Sequence, residues 1–132
     1  VGLKESLLDM PVRSLSGGEC QRAAIARALL CSPKLMICDE ATSALDVSVQ
    51  AQIIHLMRRL KKEKQMTFLF ISHDLVLSAT ICDKIAVMKK GKIVECGSAE
   101  EVLHHPRDPY TQLLLKSVLY AEVNSITDRS VL

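Results

Sequence analysis

Three short segments of the sequence carry residues whose types and spacing suit the binding of a phosphate. The first is Leu15-Ser16-Gly17-Gly18-Glu19, which opens an alanine-rich run typical of a helix. The N-terminus of a helix attracts anions through its free N–H groups and its positive pole, and glycines let the backbone come close to them. The alternative is a tight loop in which Ser16 does no more than cap the helix.

The second segment is the pair Asp39-Glu40, which follows four apolar residues, 35–38, that predict a buried strand. Acidic residues at the carboxyl end of such a strand lie where α/β proteins bind their ligands. One carboxylate can bind Mg²⁺, usually through water, while the other orients or deprotonates an attacking water. The alternative is an ordinary surface pair in a turn.

The third segment is Ser72-His73-Asp74, at the end of a second apolar run, 67–71, that we also predict to be a buried strand. A strand, a helix and a strand in that order form a βαβ unit with parallel strands. This geometry would bring His73 to the same sheet edge as Asp39 and Glu40, where it could contact a phosphate or a catalytic water. The alternative is a bystander histidine beside a residue that caps a helix.

The elements that must position these segments follow from hydrophobic spacing and from turn residues. A short helix is predicted near the start of the chain and a loop before the glycines. Asp46 is predicted to cap the helix that joins the two strands. The predicted helices cover residues 3–9, 19–30, 48–62, 74–81, 98–104 and 109–120, the loop covers 14–18, and a β-hairpin joins 84–88 to 92–96.

Composition restricts the classes of function. The chain has 132 residues, 48% hydrophobic and 24% charged, which is typical of one globular domain. A net charge of +2 argues against a broad nucleic-acid surface, and the basic cluster at 58–64 is interpreted as a solvated helix end. His55, His104 and His105 have no functional setting and are interpreted as surface residues.

The cysteines and the lengths of the apolar runs indicate the cellular compartment of the protein. The five cysteines, at positions 20, 31, 38, 82 and 96, form no CxxC pair and no zinc-like spacing. We therefore predict buried thiols in a reducing cytosol. The sequence shows no signal peptide and no run long enough to span a bilayer, so any membrane role would come through a partner.

Taken in order, LSGGE, LMICDEATSALD and FISHD resemble the ATP-binding subunit of ABC transporters, from Val1 to about Val118. A second resemblance lies in the segment HPRDPYTQLL, residues 105–114, which is similar to peptide and nickel importer ATPases. Those proteins usually read HPYT here, and Asp108 stands in the histidine place.

The resemblance implies that two such subunits face each other head to tail with two ATP molecules between them. Residues 15–19, the LSGGE motif, form what we call the signature segment. Its Ser16, Gly17 and Gly18 would contact the γ-phosphate of ATP held by the opposite subunit. The chemistry would be phosphoryl transfer to water. The implied roles are the trans ATP contact for Ser16, Gly17, Gly18 and Glu19, Mg²⁺ binding for Asp39, catalysis for Glu40 and the switch histidine His73, and the D-loop for Ser43 to Asp46.

The implied fold is α/β, part of a P-loop NTPase with a parallel sheet flanked by helices, a C-terminal β-hairpin and further helices. The phosphate loop GxxxxGK[ST] and its strand are not found in these residues, so we expect unpaired sheet edges, very weak ATP affinity and no measurable ATPase activity of the chain alone. The predicted segments are the end of a helical subdomain at 1–14, ATPase core at 15–97, a helical extension at 98–120 and a tail, expected to be disordered, at 121–132.

The leading functional hypothesis is part of a subunit that couples ATP hydrolysis to the import of peptides or nickel. Its implied partners are a second ATP-binding subunit, identical or different, and membrane permease subunits, at the cytoplasmic face of the membrane and without nucleic acid. One alternative is a non-catalytic module that supplies its signature loop in trans to a complete subunit. Another is a soluble ABC ATPase of DNA repair or translation, which the importer-like tail and modest charge disfavour.

Overall fold

The structure is a computed structural model, and it describes residues 1–117 of the chain. The chain divides into two compact units, Val1–His73 and Asp74–Leu132, which we call the first and the second unit. The predicted α/β class is confirmed by a parallel strand pair in the first unit and an antiparallel pair in the second. The missing phosphate-loop strand stays a prediction. So does the division of the chain into a helical subdomain, an ATPase core, a helical extension and a tail.

The start of the first unit differs from the predicted short helix over 3–9. Only a 3₁₀ turn forms there, Glu5–Leu7, followed by another, Val12–Ser14. The Leu7 and Leu8 N–H groups donate to carbonyls three residues back, at 3.1 and 3.0 Å, so no α-helical ladder begins.

Helix α1, Gly17–Leu29, begins earlier than predicted, because Ser16 caps it and the two glycines already lie in its first turn. The predicted loop over 14–18 therefore ends at Ser16. Helix α2, Val47–Lys64, is confirmed, with Asp46 as its N-cap and lysines in its last turn. Gln65 ends it in the left-handed conformation, at φ 51°.

Strands β1, Leu35–Asp39, and β2, Thr67–Ile71, pair in parallel, as predicted. In the register Leu35 lies opposite Thr67 and Asp39 lies opposite Ile71. The carboxyl ends of the two strands therefore meet at one edge of this sheet. Asp39 ends the first strand, with Glu40 next to it, and His73 lies two residues after the second.

The prediction that both strands are buried is wrong, because only one face of the pair is covered. Met36 and Cys38 point into the core, which α2 supplies with most of its residues. On the opposite face the side chains are between 46% and 61% exposed. These exposed residues, which we call the open face, are Leu35, Ile37, Leu69 and Ile71.

The second unit contains the predicted helix and hairpin. Helix α3, Leu75–Ile81, is capped by Asp74, and strands β3, Lys84–Lys89, and β4, Lys92–Ser98, form the antiparallel hairpin. Helix α4, Ala99–His104, follows, and residues 109–117 are helical. The predicted helix at 109–120 and the tail at 121–132 extend outside the described residues. The core is built on Ile85, Val87 and Val102.

The cysteine prediction is wrong for most of the thiols. All five cysteines are free, but only Cys38 is buried, while Cys31 and Cys96 are exposed. Cys31 is exposed because it lies in the turn after α1, outside the apolar runs. The three histidines at 55, 104 and 105 are exposed, as predicted. Within residues 1–117, no helix combines the length and the apolarity that crossing a membrane requires.

Candidate functional site

The ends of β1 and β2 bring Glu40 and His73 into contact. The Nδ1 atom of His73 lies 3.2 Å from Oε1 of Glu40, although the two residues are separated by 33 positions in the chain. Both side chains are exposed, at 73% for the histidine and 56% for the glutamate. A contact between two exposed side chains in water adds little to stability.

The backbone at Glu40 is held in an uncommon conformation by neighbouring groups. Its φ is 44°, in the left-handed region that non-glycine residues seldom adopt. Its N–H donates to the carbonyl of Ile71 at 2.9 Å, which extends the parallel ladder by one bond. Its carbonyl accepts from the N–H of Ser43 at 3.1 Å and from the Ser43 hydroxyl at 3.0 Å. These bonds fix the point from which the Glu40 side chain reaches His73.

Asp39 is the residue that the sequence predicts to bind Mg²⁺. It ends β1 and is exposed, so its carboxylate is accessible from solvent. Among residues 1–117, no group of three or more His, Cys, Asp and Glu side chains could hold a metal ion. Mg²⁺ in phosphate-binding sites commonly takes one or two carboxylates, and substrate phosphates and water supply its other ligands. A single exposed carboxylate fits that kind of site.

The signature segment forms a capping box at the start of α1. The N–H and the hydroxyl of Ser16 both donate to Oε2 of Glu19, each at 2.8 Å. In return the N–H of Glu19 donates to the Ser16 hydroxyl at 3.3 Å. The backbone bond from Ser16, followed by the bond from its hydroxyl, lowers the pKa of Glu19 below its usual 4.5. Glu19 is therefore a carboxylate at neutral pH.

The two glycines of the signature segment pack against the start of α2. Gly18 is buried, and a Cβ atom built on it would lie 2.5 Å from Cγ1 of Val49. A Cβ on Gly17 would lie 3.2 Å from Cδ2 of Leu45. From the sequence, we attribute these glycines to the close approach of a phosphate. The structure adds a second reason at Gly18, because a side chain there would collide with Val49.

The predicted D-loop forms the turn that leads into α2. Oδ1 of Asp46 accepts from the N–H of Val49 at 2.9 Å and from the Ser48 hydroxyl at 2.7 Å. The bond from the Val49 N–H is the main reason why the pKa of Asp46 is lowered. Asp46 and Ser43 therefore have local structural roles, and their roles between subunits stay predictions.

Sequence reasoning found the pair at the sheet edge and missed the contacts that support the glycines. Glu40 and His73 are brought together, and Asp39 lies beside Glu40 in the chain. The box at Ser16 could have been found, because Ser-x-x-Glu before a helix is its known pattern. The contacts of Leu45 and Val49 with the glycines carry no sequence signal, since they arise from packing of α1 against α2. The ATP contacts predicted for the signature residues stay predictions.

Two family models match the sequence. The model for ABC transporters matches residues 1–43, which include the signature segment and the Asp39-Glu40 pair. The model for the C-terminal region of oligopeptide/dipeptide transporters matches residues 94–130.

Similar curated proteins have peptide-transport names. The oligopeptide transport ATP-binding protein OppF of Streptococcus mutans serotype c is 52% identical over 118 residues, 89% of this chain and 38% of its own length. The dipeptide transport ATP-binding protein DppF of Lactococcus lactis is 48% identical over 89% of this chain and 38% of its own length. DppD of Escherichia coli is 50% identical over 86% of this chain and 35% of its own length. The chain thus spans little more than a third of these relatives.

Two solved structures resemble the fold. The first is cbiO1 from Clostridium perfringens, part of the ABC transporter complex cbiONQ, with a TM-score of 0.71 and 36% identity over 76% of this chain and 40% of that one. The second is the ATP-binding cassette MJ0796, described as a dimer in a post-hydrolysis state bound to ADP and Pi. Its TM-score is 0.64, with 31% identity over 74% of this chain and 41% of that one.

Proposed function

This chain belongs to the family of ABC-transporter ATP-binding subunits, and we propose that it forms part of an ATPase that drives peptide import. In this proposal it provides the sheet edge with Glu40 and His73, where ATP is hydrolysed, and the signature segment. The observation that carries the proposal is the 3.2 Å contact between Glu40 and His73 at the end of the parallel strands. The names of the relatives favour peptides over nickel, and none of them describes a non-catalytic module.

In this proposal Glu40 acts as the base toward an attacking water. Its carboxylate is held at the strand end by the backbone bonds at Glu40, and the imidazole of His73 fixes its orientation. When Nδ1 of His73 carries the proton that Glu40 accepts, Nε2 is left as an acceptor on the other side of the ring. That nitrogen can then accept a hydrogen bond from a water molecule at the site. Positioning and charge stabilisation are the main contributions that such a site makes to phosphoryl transfer.

Asp39 would hold Mg²⁺, directly or through water, and the ion would neutralise charge on the phosphate oxygens when bound. Ser16, Gly17 and Gly18 would act on the ATP of a second subunit, with Ser43 and Asp46 in the turn between the two sites. Permease subunits would place the assembly at the cytoplasmic face of the membrane.

A chimera tests the proposal. The aligned 118-residue segment of the Streptococcus mutans relative is replaced by the corresponding residues of this chain, and ATP hydrolysis is measured. We expect the chimera to hydrolyse ATP, and Glu40→Gln to lower kcat by about 10²–10⁴-fold with little change in the KM for ATP. Glu63→Gln, which changes an exposed carboxylate on α2, is the matched control and should leave kcat unchanged.

Retained turnover in the Glu40→Gln chimera would show that Glu40 is not the base. His73→Ala distinguishes an orienting role from a mere neighbour, because it should lower kcat while ATP binding persists. Uptake of labelled peptide by cells in which the chimera replaces the relative tests the substrate class.

A further inference from the structure

We infer that Gln50, in the first turn of α2, is a positioning residue for the proposed catalytic glutamate. Its side chain holds the turn that carries Glu40 through the buried hydroxyl of Thr42, and it touches no reacting atom. The inference rests on the proposed function and adds to it a residue that lies outside the strand ends, the signature segment and the predicted D-loop.

The backbone of Glu40 is the part of the site that needs to be held. Its φ of 44° is costly for a residue with a Cβ atom, and such a conformation persists only where surrounding bonds favour it. Two of these bonds come from Ser43, whose N–H and hydroxyl donate to the Glu40 carbonyl at 3.1 and 3.0 Å. Ser43 is exposed, so water competes for both donors. The turn therefore needs a support that keeps Ser43 in place.

Thr42, the chain neighbour of Ser43, provides this support because it is only 3% exposed. Its carbonyl accepts from the Leu45 N–H at 3.2 Å, which closes the turn on its far side. Its hydroxyl accepts from Nε2 of Gln50 at 3.3 Å. A buried hydroxyl without a partner costs free energy, so the bond from Gln50 favours the buried position of Thr42.

Gln50 can give this support because its own backbone is fixed in α2. Its N–H donates to the carbonyl of Asp46, the N-cap of the helix, at 2.8 Å. The same helix buries Ile53 and Ile54 in the core of the first unit. The bond between Gln50 and Thr42 thus connects the turn that carries Glu40 to a helix that is anchored in the core.

The alternative is that the side chain of Gln50 only adds stability to α2, and Gln52 offers a matched control for it. Gln52 lies on the same helix, and its Oε1 accepts from Nη2 of Arg22 at 3.1 Å. That bond leads to α1 and not to the turn at Thr42. A general effect of removing a glutamine bond from α2 should therefore be the same at both positions.

The test measures kcat and the KM for ATP in the chimera with the Streptococcus mutans relative, well below the thermal midpoint of each variant. Gln50→Met keeps the length of the side chain and a good helix former, and it removes the donor. We expect kcat to fall by about tenfold, because a small displacement of a catalytic group is enough. The KM for ATP should change by less than about twofold, a split that a loss of stability alone does not produce. Gln52→Met should leave both constants unchanged.

Thr42→Val tests the same bond from its other side, also if the Gln50→Met chimera does not fold. It should lower kcat as Gln50→Met does, and the double variant should lose no more than either single one, because both remove the same bond. Gln50→Glu should keep kcat close to that of the parent chimera, since its carboxylate can accept the proton of the Thr42 hydroxyl.

Unchanged kcat in Gln50→Met and Thr42→Val, with Glu40→Gln still impaired, would overturn the inference and leave the proposed function intact. Equal losses in Gln50→Met and Gln52→Met would also overturn it, because the effect would then belong to α2 in general. Full turnover in Glu40→Gln would contradict the proposed function and, with it, this inference.

Discussion

The first unit leaves one side of its sheet open, whereas the second unit closes on its own core. In the first, β1 and β2 bury Met36 and Cys38 on one side and leave the open face in solvent. In the second, the inward side of β3 packs with α3, α4 and the helical residues 109–117 around Ile85, Val87 and Val102. The candidate catalytic groups lie at the edge of the less covered sheet. The candidate groups therefore belong to the unit whose sheet offers further surface for packing.

A half-buried carboxylate of the second unit fixes the loop that follows α4. Glu95 on β4 accepts from the N–H groups of Arg107 and Asp108, at 2.8 and 3.1 Å. Asp108, which stands in the place of the family's usual histidine, accepts from the Tyr110 N–H at 2.7 Å and so caps the helical residues that follow. The amine of Lys89 lies 4.4 Å from the centre of the Tyr110 ring. The importer-like segment is thereby attached to the hairpin.

The largest expected effect distinguishes core from open face within the first unit. Ile53 is fully buried, and Ile53→Ala should lower the free energy of unfolding by about 2–5 kcal/mol. Ile37 is 61% exposed, and Ile37→Thr should change it by no more than about 0.5 kcal/mol. Urea denaturation measures both values. A loss of several kcal/mol in Ile37→Thr would show that the face is covered in solution, for example by a second copy of the chain.

A loss of stability of intermediate size is expected when a glycine is replaced by alanine, and one glycine from each unit is compared. Gly18→Ala should cost about 1–3 kcal/mol, because the new methyl group would lie 2.5 Å from Val49. Gly91→Ala in the hairpin turn has open space around it and a φ of +76°, so it should cost only about 1 kcal/mol of backbone strain.

The double variant Gly18→Ala with Val49→Ala separates these causes. It should regain part of the stability that Gly18→Ala loses, whereas no second-site change of this kind exists for Gly91. If Val49→Ala gives no recovery in the thermal midpoint, contact with Val49 is not the reason for the loss.

The smallest expected effect is on the pH dependence of the free energy of unfolding. It involves the capping box of Ser16 and Glu19 on α1 and the same kind of box of Ser98 and Glu101 on α4. The pKa of Glu19 is lowered by the N–H of Ser16 and that of Glu101 by the N–H of Ser98, both from 4.5. A lowered pKa in the folded state means that the unfolded chain binds more protons, so this stability is present above 4.5 and lost as the pH falls through the lowered value.

Glu19→Gln and Glu101→Gln should therefore each flatten the dependence of unfolding free energy on pH in this acid range. Denaturation midpoints at several pH values measure the slope. A change in slope for one variant alone would show that the boxes of the two units are not equivalent in solution.

Much of the local structure could be predicted from the sequence. The alternation and clustering of apolar residues predicted both strand pairs, and Asp46 was correctly predicted to cap α2. The prediction of doubly buried strands failed because an apolar run specifies what a side chain prefers, not whether a partner surface is present. The cysteine prediction failed at Cys31 for a different reason, because this residue lies in the turn after α1, outside the apolar runs.

Residue types and their spacing indicate which side chains could take part in chemistry and which elements carry them, because hydrogen-bonding capacity, charge and helix or strand preference are local properties. These properties place Asp39 and Glu40 at the end of one predicted strand and His73 just after the next. The 3.2 Å distance between Glu40 and His73 and the close approach of Val49 to Gly18 come from the tertiary structure, because such distances depend on how distant segments pack.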